Sequence, residues 1–495
     1  MFRYIVVRLL KSVVSIFAVV SIIIVMIFTM IPREKALDQD PAYKKMKGET
    51  RTLYALGKFD ELGYLDFQKK PEMCSFVYGE DEDKANACKE NGSAEQEEAI
   101  AYMESKGYTV SYLKKGDPYV TKDFAWYELL GHYYGQLFAM DSKDAIQDEN
   151  NPDLERGYHW EKNPYNGSPA LVCSGCTYKY QLYFDGSFPF VHQNKFRMNF
   201  GTSYPTNYGV ETMTVISRGQ GAQKATEQTF ATGLTEESPL IQTSCKYKSK
   251  PDRLDVKRFT DNYADCESQY ESPSMVNTSY IMGIISLILA YAFAIPTGID
   301  MAQHKDKFRD KLGIAYINIL IAVPSLAFIF FMRSIGTALG LPDKFPQLGF
   351  GDIRSWIQPT VILALLSTPS LMMWLRRYMI DQVNADYVKF AKAKGLSQKE
   401  IFRKHILRNA IIPLVNGIPS SVILCISGAF ITESAFAVPG MGKMLPDAIN
   451  QVNNNMIITL TFLFTALSIL AVLLGDILMT LVDPRIQLTA KGGND

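Results

Sequence analysis

The chain has 495 residues, 47% of them hydrophobic, with 51 basic and 51 acidic side chains. A formal charge of zero excludes the basic excess of a typical nucleic-acid binder. The balance hides a division: residues 33–275 hold 29 Lys/Arg and 38 Asp/Glu, a net of −9, and the rest holds 22 and 13, a net of +9.

In chain order, six stretches lack Asp, Glu, Lys and Arg altogether: 12–32, 272–299, 312–332, 355–375, 409–432 and 448–475. A helix needs about 20 residues to cross roughly 30 Å of hydrocarbon, and soluble core helices rarely carry runs of that length. The chain therefore reads as an α-helical polytopic membrane protein with six transmembrane helices. Arg3, Arg8 and Lys11 precede the first run, which ends in Met30-Ile31-Pro32-Arg33 without a small-x-small site. It reads as an uncleaved anchor rather than a signal peptide. With the N-terminus inside, the short cytoplasmic pieces carry 18 Lys/Arg and the short outside loops carry 4. Positive charge favours the inside, so both termini are expected in the cytoplasm. The domains are then 1–32 (N-terminus and first helix), 33–271 (an α+β extracellular domain) and 272–495 (a membrane core of helices two to six).

The outer domain holds Cys74, Cys88, Cys173, Cys176, Cys245 and Cys266, while Cys425 lies alone in the fifth run. Six cysteines on an oxidising face permit three disulfides in 15 pairings that sequence does not separate. Free thiols, or zinc or redox chemistry at Cys173-Ser-Gly-Cys176, are the other readings, and structural disulfides are the plainer one. Ser93-Ala-Glu-Gln96 opens a helix through Ser105, and residues 121–140 read as an aromatic-rich helix. From 171 onward, LVCSGCTYKYQLYF and the alternation Val210-Glu-Thr-Met-Thr-Val-Ile216 read as short strands.

Between the fourth and fifth runs, residues 376–415 form a basic segment that Gly395 divides into two helical pieces. Ser397 and Glu400 make a capping box for the second piece. Within it, Ile401, His405 and Asn409, and also Phe402 and Ile406, follow i/i+4 spacing. An amphipathic connector lying on anionic headgroups is the bland reading. A reversible docking element built of short rigid helices, with a small apolar face (Tyr387, Phe390, Ile401, Phe402), is the sharper one.

This region resembles the oligopeptide/dipeptide branch of ABC importer permeases. The family's cytoplasmic loop reads approximately D-Y-x-x-x-A-x-A-K-G-L-S followed by H-x-L-R-N-A-x-x-P. The chain has Asp386, Tyr387, Ala391, Ala393, Lys394, Gly395, Leu396 and Ser397, then His405, Leu407, Arg408, Asn409, Ala410 and Pro413. Further on, Glu433-Ser-Ala-Phe436 and Pro439-Gly-Met-Gly442 are similar to E-x-x-F-x-x-P-G-x-G, and Asp483-Pro-Arg485 is similar to a terminal D-P-R. Arg376-Arg377 sits where the family carries Arg, and Phe200-Gly-Thr-Ser203 is similar to a G-x-S piece that normally precedes the second span. The loop departs from the generic permease signature at Lys389-Phe390-Ala391, as is usual in the peptide branch. The outer domain is much longer than the ordinary first loop, which resembles the AmiC-type oligopeptide permeases of Gram-positive bacteria.

The resemblance implies the ABC importer permease fold and half of a heterodimeric pore. The implied partners are a second permease subunit, two ATP-binding subunits, a lipid-anchored peptide-binding protein and an oligopeptide substrate. The residues it singles out for coupling to the ATPases are Asp386, Tyr387, Ala391, Ala393, Gly395, Leu396, Ser397, Phe402, His405 and Arg408. Pro413, Asn416 and Glu433 are gating or pore candidates. Asn318, Ser420, Ser421 and Ser427 could line a pore or pack helices, and Asp476 reads as an interfacial anchor paired with a neighbouring subunit.

Catalytic and metal motifs are not found in the sequence. The string Ala437-Val-Pro-Gly-Met-Gly442-Lys443-Met444 lacks the first glycine and the hydroxyl of a phosphate-binding loop. No cofactor is expected in this chain, so ATP and Mg2+ would be bound by partner subunits. The rival reading is a membrane-anchored sensor or adhesion protein. It would need an output domain inside, yet the longest interior loop, 376–408, spans only 33 residues.

Overall fold

The computed structural model describes residues 2–79, 81–163, 167–184, 190–425 and 428–482, with side chains from residue 6 to residue 478. Asp483-Pro-Arg485 and Ser427 lie outside the described residues. Among the described residues, four helices are long and apolar enough to cross a membrane: α1 (Phe2–Met30), α8 (Met275–Gln303), α11 (Ile353–Val383) and α17 (Asn454–Val482).

The other two apolar runs are broken. Helices α9 (Phe308–Ala322) and α10 (Ser325–Ala338) meet at 109°, where Val323 is extended and Pro324 supplies no amide hydrogen. The segment α13 (Gln398–Ala410) meets α14 (Ile412–Leu424) at 47°, with Pro413 in the first turn of α14. The fifth run therefore does not pass straight through 409–432: after Leu424 the chain turns at Gly428 into the short helix α15 (Phe430–Phe436). Ser367, Thr368 and Pro369, by contrast, sit inside one continuous α11.

Between α1 and α8 lies a mixed region. It begins with α2 (Gly48–Glu61) and a three-stranded antiparallel sheet in the order β1 (Leu65–Lys69), β3 (Pro118–Asp123), β2 (Thr109–Tyr112). Helices α3 (Lys70–Tyr78), α4 (Glu82–Cys88) and α5 (Ala94–Ser105) cover that sheet, and Met73, Ala99, Met103 and Val120 are fully buried between them. Ser93 caps α5, its Oγ accepting from the Gln96 amide at 3.1 Å. Residues 121–140 are only partly helical. The region ends β3, forms α6 (Trp126–Leu137) and continues as β4 (Phe138–Met140), which pairs with β9 (Phe196–Met198).

A four-stranded sheet of β5 (Gly157–Lys162), β6 (Pro169–Ser174), β7 (Tyr180–Phe184) and β8 (Val191–Gln193) follows the 171–184 expectation. Cys74 is bonded to Cys88, Cys173 to Cys176 and Cys245 to Cys266.

Val210–Ile216 is not a strand. Its second half is the helix α7 (Thr212–Ser217), which buries Thr212, Val215 and Ile216, a 3.6-residue rather than a two-residue spacing. Helix burial wins because the neighbour is another helix: Thr212 Oγ1 accepts a hydrogen bond from Thr459 Oγ1 of α17 at 2.9 Å. One apolar cluster accordingly spans both regions, joining Val20, Ile24 and Ile27 of α1 to Val215, Ile216, Met456, Ile457 and Leu460.

At the other end of α1 and α17, Arg8 forms an ion pair with Asp476. That acid thus has a partner in its own chain, where the sequence led to an expected partner in a neighbouring subunit.

Candidate functional site

The basic segment opens on the last turns of α11 and continues as α12 (Asp386–Ala393). Gly395 follows at φ +76°, a left-handed conformation open to glycine, and nothing lies within 4 Å of where its Cβ would be. Its role is to turn the backbone rather than to make room. The capping box then forms as expected: Ser397 Oγ accepts from the Glu400 amide at 3.3 Å, and Glu400 Oε2 accepts from the Ser397 amide at 3.1 Å.

Beyond the cap, Ile401–Ile406 is a π-helical turn. That turn overrides the i/i+4 pattern read from sequence. Ile401, Ile406 and Ala410 face inward together, at separations of five and four, and pack on Leu375 and Met379 of α11 and on Ala302 of α8. Val388 and Ala391 of α12 join the same cluster, and both are buried.

The expected apolar face is therefore divided. Ile401 and Ala391 belong to the base, where they fix the segment to the membrane helices. Tyr387, Leu396, Phe402 and His405 are half-buried, and the Tyr387 hydroxyl donates to Gln382 Oε1 at 2.6 Å. Phe390 stands 63% exposed, with the Lys394 ammonium 4.6 Å from its ring centre. Asp386, Ala393, Ser397 and Arg408 are exposed around it, as are Lys389, Lys392, Lys399, Arg403 and Lys404. Hydrogen bonding from Lys389, at 2.9 Å, holds the Asp386 carboxyl below its ordinary range.

Arg376 adds a contact that the sequence did not assign. Its Nε and Nη2 donate to the two carboxylate oxygens of Asp310 at 2.6 and 2.7 Å, and Asp310 is fully buried. This two-point bond fastens the start of α9 to α11 at the first residue of the basic segment. The only sequence signal was the Arg pair itself, because Asp310 reads as one more charge of a cytoplasmic loop.

The gating candidates separate. Pro413 is exposed at the bend. The Asn416 Oδ1 is buried without a hydrogen-bond partner among the described residues, against Gly475 of α17. Glu433 is 0% exposed. Its Oε1 accepts from Ser279 Oγ of α8 at 2.7 Å and the Ala429 amide at 3.1 Å, and its Oε2 accepts from the Lys443 amide at 3.0 Å. Ser279 Oγ in turn accepts from the Met441 amide at 2.7 Å.

The glycines of the surrounding motif follow from this carboxylate. A Cβ at Gly440 would lie 2.6 Å from Ser279 Oγ, one at Gly442 2.9 Å from the Phe430 amide nitrogen, and one at Gly428 would overlap Glu433 Oε1. Glu433 is thus the anchor of the turn between α15 and α16 (Met441–Asn450). A cavity of about 400 Å3 beside it is lined by Ser279, Gly428 and Ser421, but not by Glu433 itself.

The region before α8 is seated on the start of α17. Asn453 Nδ2 donates to Ser203 Oγ at 2.8 Å, Asn454 Nδ2 to the Tyr64 hydroxyl at 2.5 Å, and Asn455 Nδ2 to the Thr202 carbonyl at 2.9 Å. The Phe200 ring packs on Phe462, with centroids 5.0 Å apart. The Phe200–Ser203 piece was visible in the sequence, whereas its partner, Gln451-Val-Asn-Asn-Asn455, read only as the start of the sixth charge-free run.

Residues 294–488 match the family of binding-protein-dependent transport system inner membrane components. The oligopeptide transport system permease protein AmiC of Streptococcus pneumoniae (strain TIGR4) is 42% identical over 497 residues, covering 99% of each chain. The dipeptide transport system permease DppB of Bacillus subtilis is 29% identical, over 43% of this chain and 69% of its own length. Its namesake in Lactococcus lactis is 31% identical, over 42% and 68%. The two DppB relatives match less than half of this chain, and AmiC matches nearly its whole length, the mixed region included. The chain is a multi-pass membrane protein and belongs to the permease proteins of oligopeptide ABC transport systems.

Proposed function

We propose that this chain is one half of a heterodimeric pore for ATP-driven oligopeptide import, with residues 386–408 as the element on which an ATP-binding subunit acts. The observation that carries this reading is the two-sided build of that element. Its inner side is rigidly packed on α8 and α11, and its outer side presents Phe390 within a field of lysines and arginines. A force applied to such a surface passes into the membrane helices without first deforming the element.

In this reading the four long helices and the two bent pairs make six spans, both termini are cytoplasmic, and residues 33–271 are extracellular. The 47° bend at Pro413 is the joint between the element and the pore. A second permease completes the pore, two partner subunits bind ATP and Mg2+ and hydrolyse the nucleotide, and this chain performs no catalysis. A lipid-anchored peptide-binding protein delivers cargo at the acidic outer domain.

Gentle purification from membranes tests the reading. The unmodified chain should bring down a second permease and two ATPases. Gly395→Pro, which cannot adopt φ +76°, should lose the ATPases and keep the permease. ATPases retained by the variant would move the docking surface elsewhere, and none with either protein would overturn the importer.

A further inference from the structure

We propose that α6 and the two-stranded β4–β9 ribbon are embedded in the lipid bilayer beside α1, so that part of the large inserted region is itself a membrane element. Residues 129–140 contain no Asp, Glu, Lys or Arg. The inner face of α6 is tied to the lipid-spanning part of α1. The Tyr134 hydroxyl donates to the Phe17 carbonyl at 3.1 Å and shares a hydrogen bond with Ser21 Oγ at 2.8 Å. The rings of Phe17 and Tyr134 lie 5.3 Å apart.

Ser21 and Phe17 belong to the charge-free run 12–32. Ser21 is nine residues from the helix end at Met30, about 14 Å along the axis. An element touching α1 at that point cannot lie wholly in the aqueous phase if α1 spans the bilayer.

The ribbon has the two faces such a position requires. Phe138 pairs with Met198 and Met140 with Phe196. On the outer face Phe138 is 65%, Met140 60% and Phe196 62% exposed. Arg197, the middle residue of β9, turns to the other face and donates to the Tyr178 hydroxyl at 3.2 Å. Charge is thus directed into the protein and large apolar side chains away from it, the reverse of a water-facing hairpin. At the opposite end of α6, Trp126 and Tyr127 are exposed where an interfacial aromatic belt would lie. The occupant of this surface is lipid: the helix on which α6 packs carries exposed apolar side chains of its own, including Val14 and Ile22.

Spin labels distinguish the cases. In a Cys425→Ser background, the full-length chain is purified with its bound subunits and placed in nanodiscs of phosphatidylethanolamine and phosphatidylglycerol. It carries a nitroxide at Phe138→Cys, Phe196→Cys or, as the water-facing control, Tyr112→Cys. Collisions with oxygen should exceed those with a water-soluble nickel chelate at 138 and 196, and the order should reverse at 112. Dominant nickel collisions at 138 and 196 would place the ribbon in water. Loss of both kinds of collision would place it against another protein chain. Either result overturns the proposal.

Discussion

The segments 386–410 and 428–443 both carry glycine-bearing motifs, yet they use glycine for opposite reasons. Gly395 has open space around it and is needed only for its backbone angle. Gly428, Gly440 and Gly442 crowd around a buried carboxylate and are needed because any side chain would displace it. The first segment is a surface that must be reached, and the second is a lock that must stay closed. A glycine in a motif therefore says little until its surroundings are known.

The contrast predicts a ladder of effects. Glu433→Ala should be the most damaging, since it strands the Ser279 hydroxyl and the Ala429 and Lys443 amides. At about 1–3 kcal/mol for each buried unsatisfied group, it should cost at least about 3 kcal/mol, visible as a lower thermal midpoint of the solubilised protein. Gly440→Ala should approach that loss, because its methyl group meets the same carboxylate. A midpoint unchanged in both variants would remove the lock.

Asn453→Ala should cost about 1–3 kcal/mol and act locally. Hydrogen exchange should rise at residues 199–212 and stay constant at 386–410.

Acid should separate the two regions in the same way. Burial alone would raise the Asp40 carboxyl, but hydrogen bonds from Tyr204, Tyr54 and the amides of Ala42 and Tyr43 outweigh it and hold the group below its ordinary value. Because the folded value is depressed, its contribution to stability is present above the unfolded value of about 3.9. The contribution is lost as pH falls through the folded value. Tyr204 also lies at the Asn453 seat, its amide donating to Asn453 Oδ1 at 3.4 Å. Midpoints measured from pH 7 downward should fall more steeply for the native chain than for Asp40→Asn.

Gly395→Ala should cost only about 1–2 kcal/mol, the penalty of a left-handed backbone. Phe390→Ala should change stability by less than about 0.5 kcal/mol, as expected for an exposed site.

What the sequence disclosed was whatever local chemistry decides. Charge-free runs mark the apolar helices, Gly395 and Ser397 mark a turn and a cap, and Pro413 marks a bend. What it withheld depends on partners far along the chain. Glu433 reads as a pore acid until Ser279, Ala429 and Lys443 converge on it. Val210–Ile216 alternates like a strand, yet α17 selects the helical face. Ile401 looks available for docking until the π-helical turn rotates it inward with Ile406. The asparagines at 453–455 carry no signal of their own, since polar triplets are ordinary in loops.

The most direct test is uptake of a labelled oligopeptide by the reconstituted complex, with ATP inside the vesicles, comparing the native chain with Phe390→Asp. The account predicts that the variant folds with an unchanged thermal midpoint, loses its bound ATPases and shows no ATP-driven uptake. Uptake at the native rate, with the ATPases still bound, would contradict it.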